Sequence, residues 1–358
     1  MSAAASDPKP TAGMKPGDLV CVTGASGFIG SHVVCTMLDR GYRVRATVRD
    51  PSDAAKIAHL RAHAEASGGE LEFVAADLNQ PGAFDAAVAG CPYVCHVASS
   101  VRLTAPDPQR EIVDVAVNGT NNVLDAILTA DCARRVVITS SISAIVDETK
   151  PASYVHTEAH WNDSANLETS PYPLSKTLAE KAAWARYEGL PDAHRFGLVT
   201  LNPTMVMGPI LTKEHARSSP SVIRDLLTGK FPMVPNFNFG IVDVRDVALA
   251  HARALEDESA EGRHILNAQT AWFGEIAKIL RDGFPSSKTP KRTMPDALMY
   301  VAALFDKRLT WAFLRDNLSI ERKLDNARSR ERLGIEYRSL TESIVDTGRS
   351  IVELGLGP

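Results

Sequence analysis

The stretch VTGASGFIG, residues 22–30, places Gly24, Gly27 and Gly30 three apart between two apolar runs. Glycine weakens both strands and helices, so three of them at one junction mark a backbone that must approach something closely. The flanks identify the junction. DLVCVTG (18–24) reads as a short buried strand and FIGSHVVCTMLDRG (28–41) as a helix stopped at Gly41.

Outward from there the alternation continues. YRVRATVRD (42–50), LEFVAADL (71–78), YVCHVASS (93–100) and RRVVITSS (134–141) read as strands. PSDAAKIAHLRAHAEA (51–66), PGAFDAAVAG (81–90) and VDVAVNGTNNVLDAILTA (113–130) read as the helices between them. Short, wholly apolar strands separated by helices predict a parallel sheet covered on both faces, a doubly wound α/β domain. LVTLNPTMVMG (198–208) is expected to add one more strand, GIVDVRDVALAHARALE (240–256) a strand and helix, and RHILNAQT (263–270) a last strand. Much of the remainder, including PDALMYVAALFDKRLTWAFL (295–314) and RSLTESIVDTGRSIVELG (338–355), reads as helical. The expected division is a tail over 1–16, a dinucleotide domain over 17–202 with 239–268 returning to it, and a smaller substrate lobe from 203–238 and 269–358. A substrate would sit in the cleft between domain and lobe.

Composition narrows the class. The chain has 358 residues, 44% hydrophobic and 23% charged, with a formal net charge of −4, so neither a nucleic-acid footprint nor a polybasic membrane contact is expected. MSAAASDPKPTAGMKP (1–16) lacks the apolar stretch of a secretory signal, and ALMYVAALF (297–305) is about half the ~18 residues of a membrane span. A cytoplasmic protein is expected. Its five cysteines, Cys21, Cys35, Cys91, Cys95 and Cys132, lie mostly in apolar segments, as small core residues of a reduced protein do. Cys91 and Cys95 have no second pair at zinc spacing, so no metal site is expected; a disulfide between them is the other use of that spacing.

Glycines at a strand-to-helix turn let backbone N–H groups and a helix N-terminus face a pyrophosphate. Arg49 follows Gly30 by 19 residues, at the end of the second strand. An acidic residue there would bind the ribose 2′-hydroxyl of NAD, whereas an arginine accommodates the 2′-phosphate of NADP. Asp50, in DPS, reads more readily as a helix-start residue, and Lys56 offers a second cation.

In SPYPLSKTLAEKAAW (170–184), Tyr172 and Lys176 are four apart and share a helix face, and Pro173 confines Tyr172 to the first turn. A tyrosine pKa of ~10 needs about 4 kcal/mol of preference for the phenolate to come near 7. An ammonium ~4 Å away at an effective dielectric near ~20 supplies about that much. TSSIS (139–143) ends a strand on the same side of the sheet, where a serine could hydrogen-bond a carbonyl oxygen beside the tyrosine.

Glycine loop, serine segment and YxxxK pair in this order resemble the extended short-chain dehydrogenase/reductase superfamily over nearly the whole of 18–355. LNPTMVMGP (201–209), IVDVRDVALAH (241–251) and DNARSRERLGIEYRSLTESIVDT (325–347) are similar to further segments of it. RATVRDP, VCHVASSV and AVNGTNNVL resemble its dihydroflavonol-reductase-like branch, which includes aldehyde and ketone reductases. The resemblance implies a Rossmann-type sheet with a mainly helical C-terminal lobe, and a Ser141–Tyr172–Lys176 triad with Ser140 as the alternative serine. It further implies that Gly24, Ser26, Gly27, Phe28, Ile29 and Gly30 cradle NADPH/NADP+, and that Arg49 and Lys56 grip its 2′-phosphate. Asp77 and Leu78 would border the adenine and Val97, Ala98 and Ser99 the channel. Pro203, Thr204, Met205 and Val206 would back the nicotinamide, and Tyr172 and Lys176 would also touch the cofactor.

The expected activity is reduction of a small carbonyl compound to an alcohol by a monomer or homodimer. A sugar-nucleotide epimerase or dehydratase usually carries Asn where this chain has Ala116, and a dinucleotide-sensing regulator could dispense with the triad. Plant cinnamoyl-CoA reductases resemble NWYCYGK around the tyrosine, where this chain has SPYPLSK. His96 reads as structural, whereas Met205, Met207, Phe237 and Phe239 read equally as core or pocket.

Overall fold

The computed structural model describes residues 13–304 and 311–358. Its main sheet has seven parallel strands: β1 (Leu19–Thr23), β2 (Arg43–Val48), β3 (Leu71–Ala75), β4 (Tyr93–His96), β5 (Arg135–Thr139), β7 (Gly197–Pro203) and β10 (Gly262–Leu266). The order is β10-β7-β5-β4-β1-β2-β3, the Rossmann-type arrangement with one strand added. Leaving β1, the chain builds outward through β2 and β3, then returns to β1's other side as β4, in register Thr23 with His96. That reversal opens a crevice at the C-terminal ends of β1 and β4, where an open α/β sheet receives ligands.

Helices α1 (Phe28–Asp39), α2 (Ala54–Ser67), the short α3 (Asp85–Val88), α4 (Asp114–Ala130) and α5 (Pro171–Glu188) connect or cover these strands. Central strand residues such as Val20, Val22, Val94, Val136 and Val137 are wholly buried, which is why the strands read as unbroken apolar runs. Gly41 does end α1, with φ of 78°.

Two small sheets complete the molecule. β6 (Val155–His156) pairs with β12 (Lys323–Leu324), and β8 (Met205–Met207), β9 (Asn238–Asp243) and β11 (Gln269–Trp272) form a sheet in the order β11-β9-β8. LVTLNPTMVMG is therefore two strands in two sheets, not one. Thr204 makes the break, sending both its N–H (3.0 Å) and its hydroxyl (3.2 Å) to the Leu266 carbonyl. α6 (Ser221–Leu227), α7 (Val244–Glu256), α8 (Phe273–Gly283), α9 (Asp296–Ala302), α10 (Trp311–Asn317), α11 (Ala327–Arg332) and α12 (Leu340–Glu353) follow. Within 239–268, α7 packs on α1 and β10 joins the main sheet, while β9 lies in the small one.

The loose tail expected over 1–16 is contradicted at its end; residues 1–12 lie outside the described residues. Met14 is buried and its N–H reaches the Leu255 carbonyl at 2.9 Å, and the Gly13 carbonyl accepts from the Tyr93 hydroxyl. Among the described residues no helix is long and apolar enough to cross a membrane, and no cluster of side chains could hold a metal ion. All five cysteines are free, and burial pushes the Cys91 thiol up to about 11 and the Cys95 thiol up as well.

Candidate active site

The three glycines at the end of β1 answer three separate demands. Gly24 has φ of 67°, and a Cβ there would stand 2.7 Å from the Ala98 Cα. A Cβ on Gly30 would stand 2.2 Å from the Gly24 carbonyl oxygen, so only glycine lets α1 pack against the turn. Gly27 is different. Its Cβ would meet only that same oxygen, at 3.3 Å, so its bare backbone faces open space. Gly27 is also the N-cap of α1 and has no capping side chain, which leaves the N–H groups of Phe28, Ile29 and Gly30 without intrahelical partners. This arrangement suits a pyrophosphate.

Arg49 is exposed just past β2, and its guanidinium has no hydrogen bond or ion pair among the described residues. Asp50, also exposed, engages its own turn instead, its Oδ1 accepting from Ser52 N–H (2.8 Å) and Oγ (2.6 Å). It thus shapes the turn, while Asp53 occupies the α2 N-cap position. Lys56, the third residue of α2, pairs with Asp53 at 2.6 Å; both are partly exposed, and such a pair is weak enough to open. The Asp77 carboxylate accepts from the Asn79 N–H at 2.9 Å, and the Leu78 carbonyl from Asn122 at 2.9 Å. Gly119 makes room for Leu78: a Cβ there would lie 2.4 Å from the leucine Cγ.

Beyond β4 the crevice wall is tied to β1 through Thr23. Its Oγ1 accepts from the N–H groups of Val97 and Ala98, each at 3.0 Å. The one hydroxyl proton must then go to His96 Nδ1 at 2.9 Å, which puts the imidazole proton on Nε2. Burial lowers His96 to about 3, so it stays neutral, and its structural reading fits. Ser99 accepts from the Lys176 ammonium at 2.6 Å.

Tyr172 is the second residue of α5, as Pro173 requires. Ser141 stands beside its hydroxyl and opposes the rise of its pKa, and the Ser141 Oγ accepts from the Ser143 N–H at 3.1 Å and caps a short helical turn. The neighbouring Ser140 donates instead to the buried Glu180 carboxylate at 2.5 Å. The structure thus brings Ser141, and not Ser140, to the tyrosine. Lys176 Nζ lies 5.8 Å from the Tyr172 ring centroid.

The expectation that lysine brings this tyrosine toward neutrality is not met. Burial raises Tyr172 above its ordinary value with Ser141 opposing, and Lys176, whose ammonium donates to Ser99, is not among the groups that shift it. Tyr172 is a phenol at neutral pH. Burial also pushes Lys176 down to about 8, with Glu180 opposing.

Pro203, Thr204 and Val206 are buried where the chain leaves the main sheet, and Met205 is partly buried against the core. Met207 is core, and Phe237 and Phe239 stack with Phe273 in an aromatic cluster. Reading the sequence missed His215. It accepts the Leu211 N–H at Nδ1 and reaches the Ser26 carbonyl with Nε2, both at 3.3 Å, tying the turn after β8 to the glycine loop. It also missed Glu180 and Arg263. A buried ion pair between residues 83 apart has no local signature.

Comparison with known proteins bears on these observations. Residues 20–268 match the family described as the NAD dependent epimerase/dehydratase family. The chain is 38% identical over 341 residues to "Cinnamoyl-CoA reductase CAD2" of Medicago truncatula, covering 94% of this chain and 96% of that one. It is 38% identical over 287 residues to the bifunctional dihydroflavonol 4-reductase/flavanone 4-reductase of Malus domestica, covering 76% and 78%. Among solved structures, Gre2 of Candida albicans in complex with NADPH superposes with a TM-score of 0.77 at 31% identity, covering 94% of this chain and 99% of that one. The chain therefore belongs to the NAD dependent epimerase/dehydratase family of extended short-chain dehydrogenases/reductases, in its dihydroflavonol-reductase-like branch.

Proposed function

We propose that this oxidoreductase reduces an aldehyde or ketone to an alcohol with NADPH. The observation that carries the reading is the Ser141–Tyr172 hydroxyl pair beside a buried Lys176, at the mouth of a pyrophosphate-shaped crevice.

NADPH, when bound, supplies hydride. Everything else falls to side chains of this chain. Gly24, Ser26, Gly27, Phe28, Ile29 and Gly30 form the pyrophosphate cradle, and Arg49 with Lys56 supplies the cations for a 2′-phosphate. Asp77 and Leu78 border the adenine end, Val97, Ala98 and Ser99 the channel, and Pro203, Thr204, Met205 and Val206 its floor. Ser141 orients the carbonyl oxygen. Tyr172, held as a phenol by its burial, carries a proton at Oη and gives it to the alkoxide. A reduction needs the protonated form, so the raised tyrosine pKa suits this direction. Lys176 holds a positive charge within the site and lowers the cost of the phenolate that proton loss leaves.

SPYPLSK stands where the cinnamoyl-CoA reductase pattern would be, which favours a free aldehyde or ketone over a coenzyme A thioester. Following NADPH absorbance with a panel of aldehydes, ketones, acyl-CoA thioesters and sugar nucleotides tests this. Consumption with an aldehyde or ketone supports the reading; conversion of a sugar nucleotide without net NADPH loss overturns it.

A further inference from the structure

Glu180 lies one helical turn beyond Lys176 on α5, with its side chain only 1% exposed. A carboxylate so placed is costly unless every lone pair is engaged. Here four side chains donate to it: Ser140 Oγ at 2.5 Å, Thr200 Oγ1 at 2.9 Å, Asn202 Nδ2 at 2.8 Å and Arg263 Nε at 2.7 Å. Arg263 is fixed in turn. Its Nη1 donates to the carbonyls of Glu158 (2.8 Å) and His160 (2.5 Å), and its guanidinium stacks 3.7 Å from the Trp161 ring centroid.

Two links run from this carboxylate to the catalytic serine. Ser140 is the residue before Ser141, and Asn202 Nδ2 donates to both Glu180 Oε2 and the Ser141 carbonyl, the latter at 3.1 Å. A third link is through space. Glu180 and Lys176 line one cavity of about 20 Å³ together with His96, Ser99, Thr120 and Ser140. The groups facing Lys176 are neutral His96 from β4, Tyr172 and Glu180 from α5, and uncharged Ala116 and Thr120 from α4. Arg263, from β10, pairs with the carboxylate and does not line the cavity. Glu180 is thus the negative charge in the cavity.

We propose that Glu180 is a positioning residue for the proposed reduction: its carboxylate holds the Ser140–Ser141 turn in place and keeps Lys176 charged. This rests on the Ser141–Tyr172–Lys176 reading. Burial lowers Lys176 and Glu180 opposes that fall. An opposite charge one helical turn away favours the charged form, and nearby opposite charges move a pKa by about one or more units.

The test compares four variants with wild type, measuring kcat/KM against pH, KM for NADPH, and Tm. Glu180→Gln keeps the volume and removes the charge, so the alkaline limb of the profile should move down by about one pH unit. Thr200→Val removes one donor and leaves the charge, so Tm should fall while the limb stays. Ser140→Ala should lose roughly tenfold in kcat with little change in KM for NADPH, because it frees the serine turn. A Glu180→Gln enzyme that only loses Tm, as Thr200→Val does, overturns the electrostatic role. Should Glu180→Gln not fold, Ser140→Ala still decides: wild-type kcat in that variant overturns the positioning role. Tyr172→Phe is the fourth variant and tests the triad alone. Its retaining activity would sink the triad reading, whatever Glu180 does.

Discussion

Ser140 and Ser141 are chain neighbours whose hydroxyls serve different sides of the site, Ser140 donating to Glu180 and Ser141 standing beside Tyr172. One peptide unit therefore joins the buried anion behind the site to the serine beside Tyr172. The proposed proton donor, Tyr172, is the first group to test.

Tyr172→Phe keeps the ring and removes the proton. Carbonyl reduction should fall by at least about two orders of magnitude, while NADPH affinity, measured by fluorescence titration, stays near wild type. A variant with most of its kcat intact would show that another group supplies the proton.

Arg49→Ala addresses coenzyme choice. A charge-assisted hydrogen bond contributes roughly 1.5–3 kcal/mol, so kcat/KM with NADPH should drop by about one to two orders of magnitude. The value with NADH, which offers only a hydroxyl there, should change little. A wild type that prefers NADH, or an unchanged ratio in the variant, removes Arg49 from the site.

Gly27→Ala and Gly30→Ala separate binding from packing. Gly30→Ala drives a Cβ against the Gly24 carbonyl and should cost roughly 1–3 kcal/mol of stability. Gly27→Ala should melt near wild type yet bind NADPH about tenfold more weakly, since its methyl group enters the cradle. Thermal melts and titrations of both variants decide; equal loss of Tm in the two would refute the distinction.

Six buried histidines, His32, His96, His156, His215, His251 and His264, make the fold sensitive to acid. Burial lowers His32, His215, His251 and His264 to about 4 and His96 to about 3, from 6.5. Below 6.5 the unfolded chain takes up protons that the folded one refuses. Stability is therefore intact above that value and drains as the pH falls, each ring contributing up to about 1.4 kcal/mol per pH unit in the window. Urea midpoints should be clearly lower at about pH 5 than at about pH 7.5; equal midpoints would contradict the burial of these rings.

Much of this architecture is legible in the chain because the signals are local. Apolar runs gave the parallel strands, glycine spacing the turn after β1, and Pro173 the place of Tyr172 at a helix start. Signals that depend on distant partners were illegible. Thr204 interrupts an unbroken strand pattern only because Leu266 offers it a carbonyl. Nothing in the helix pattern singles out Glu180, which Arg263, Thr200 and Asn202 surround only in the folded chain. Met14 belongs to a polar, proline-bearing stretch, and only its contact with Leu255 shows that it is core. The tyrosine's pKa failed for the same reason: spacing puts Lys176 on the right face but does not show the burial that raises Tyr172.

The crossing at Thr204 bears on how such proteins can be recombined. Pro203 closes a strand of the main sheet and Met205 opens one in the small sheet, with a single residue between them. Opposite, a Cβ on Gly240 would collide with the Thr204 methyl at 2.6 Å, so even the facing strand is fitted to that residue. The small sheet is therefore not a cassette. A chimera that exchanged it between relatives would have to carry Thr204, Gly240 and Leu266 together, or the seam between the two sheets would open.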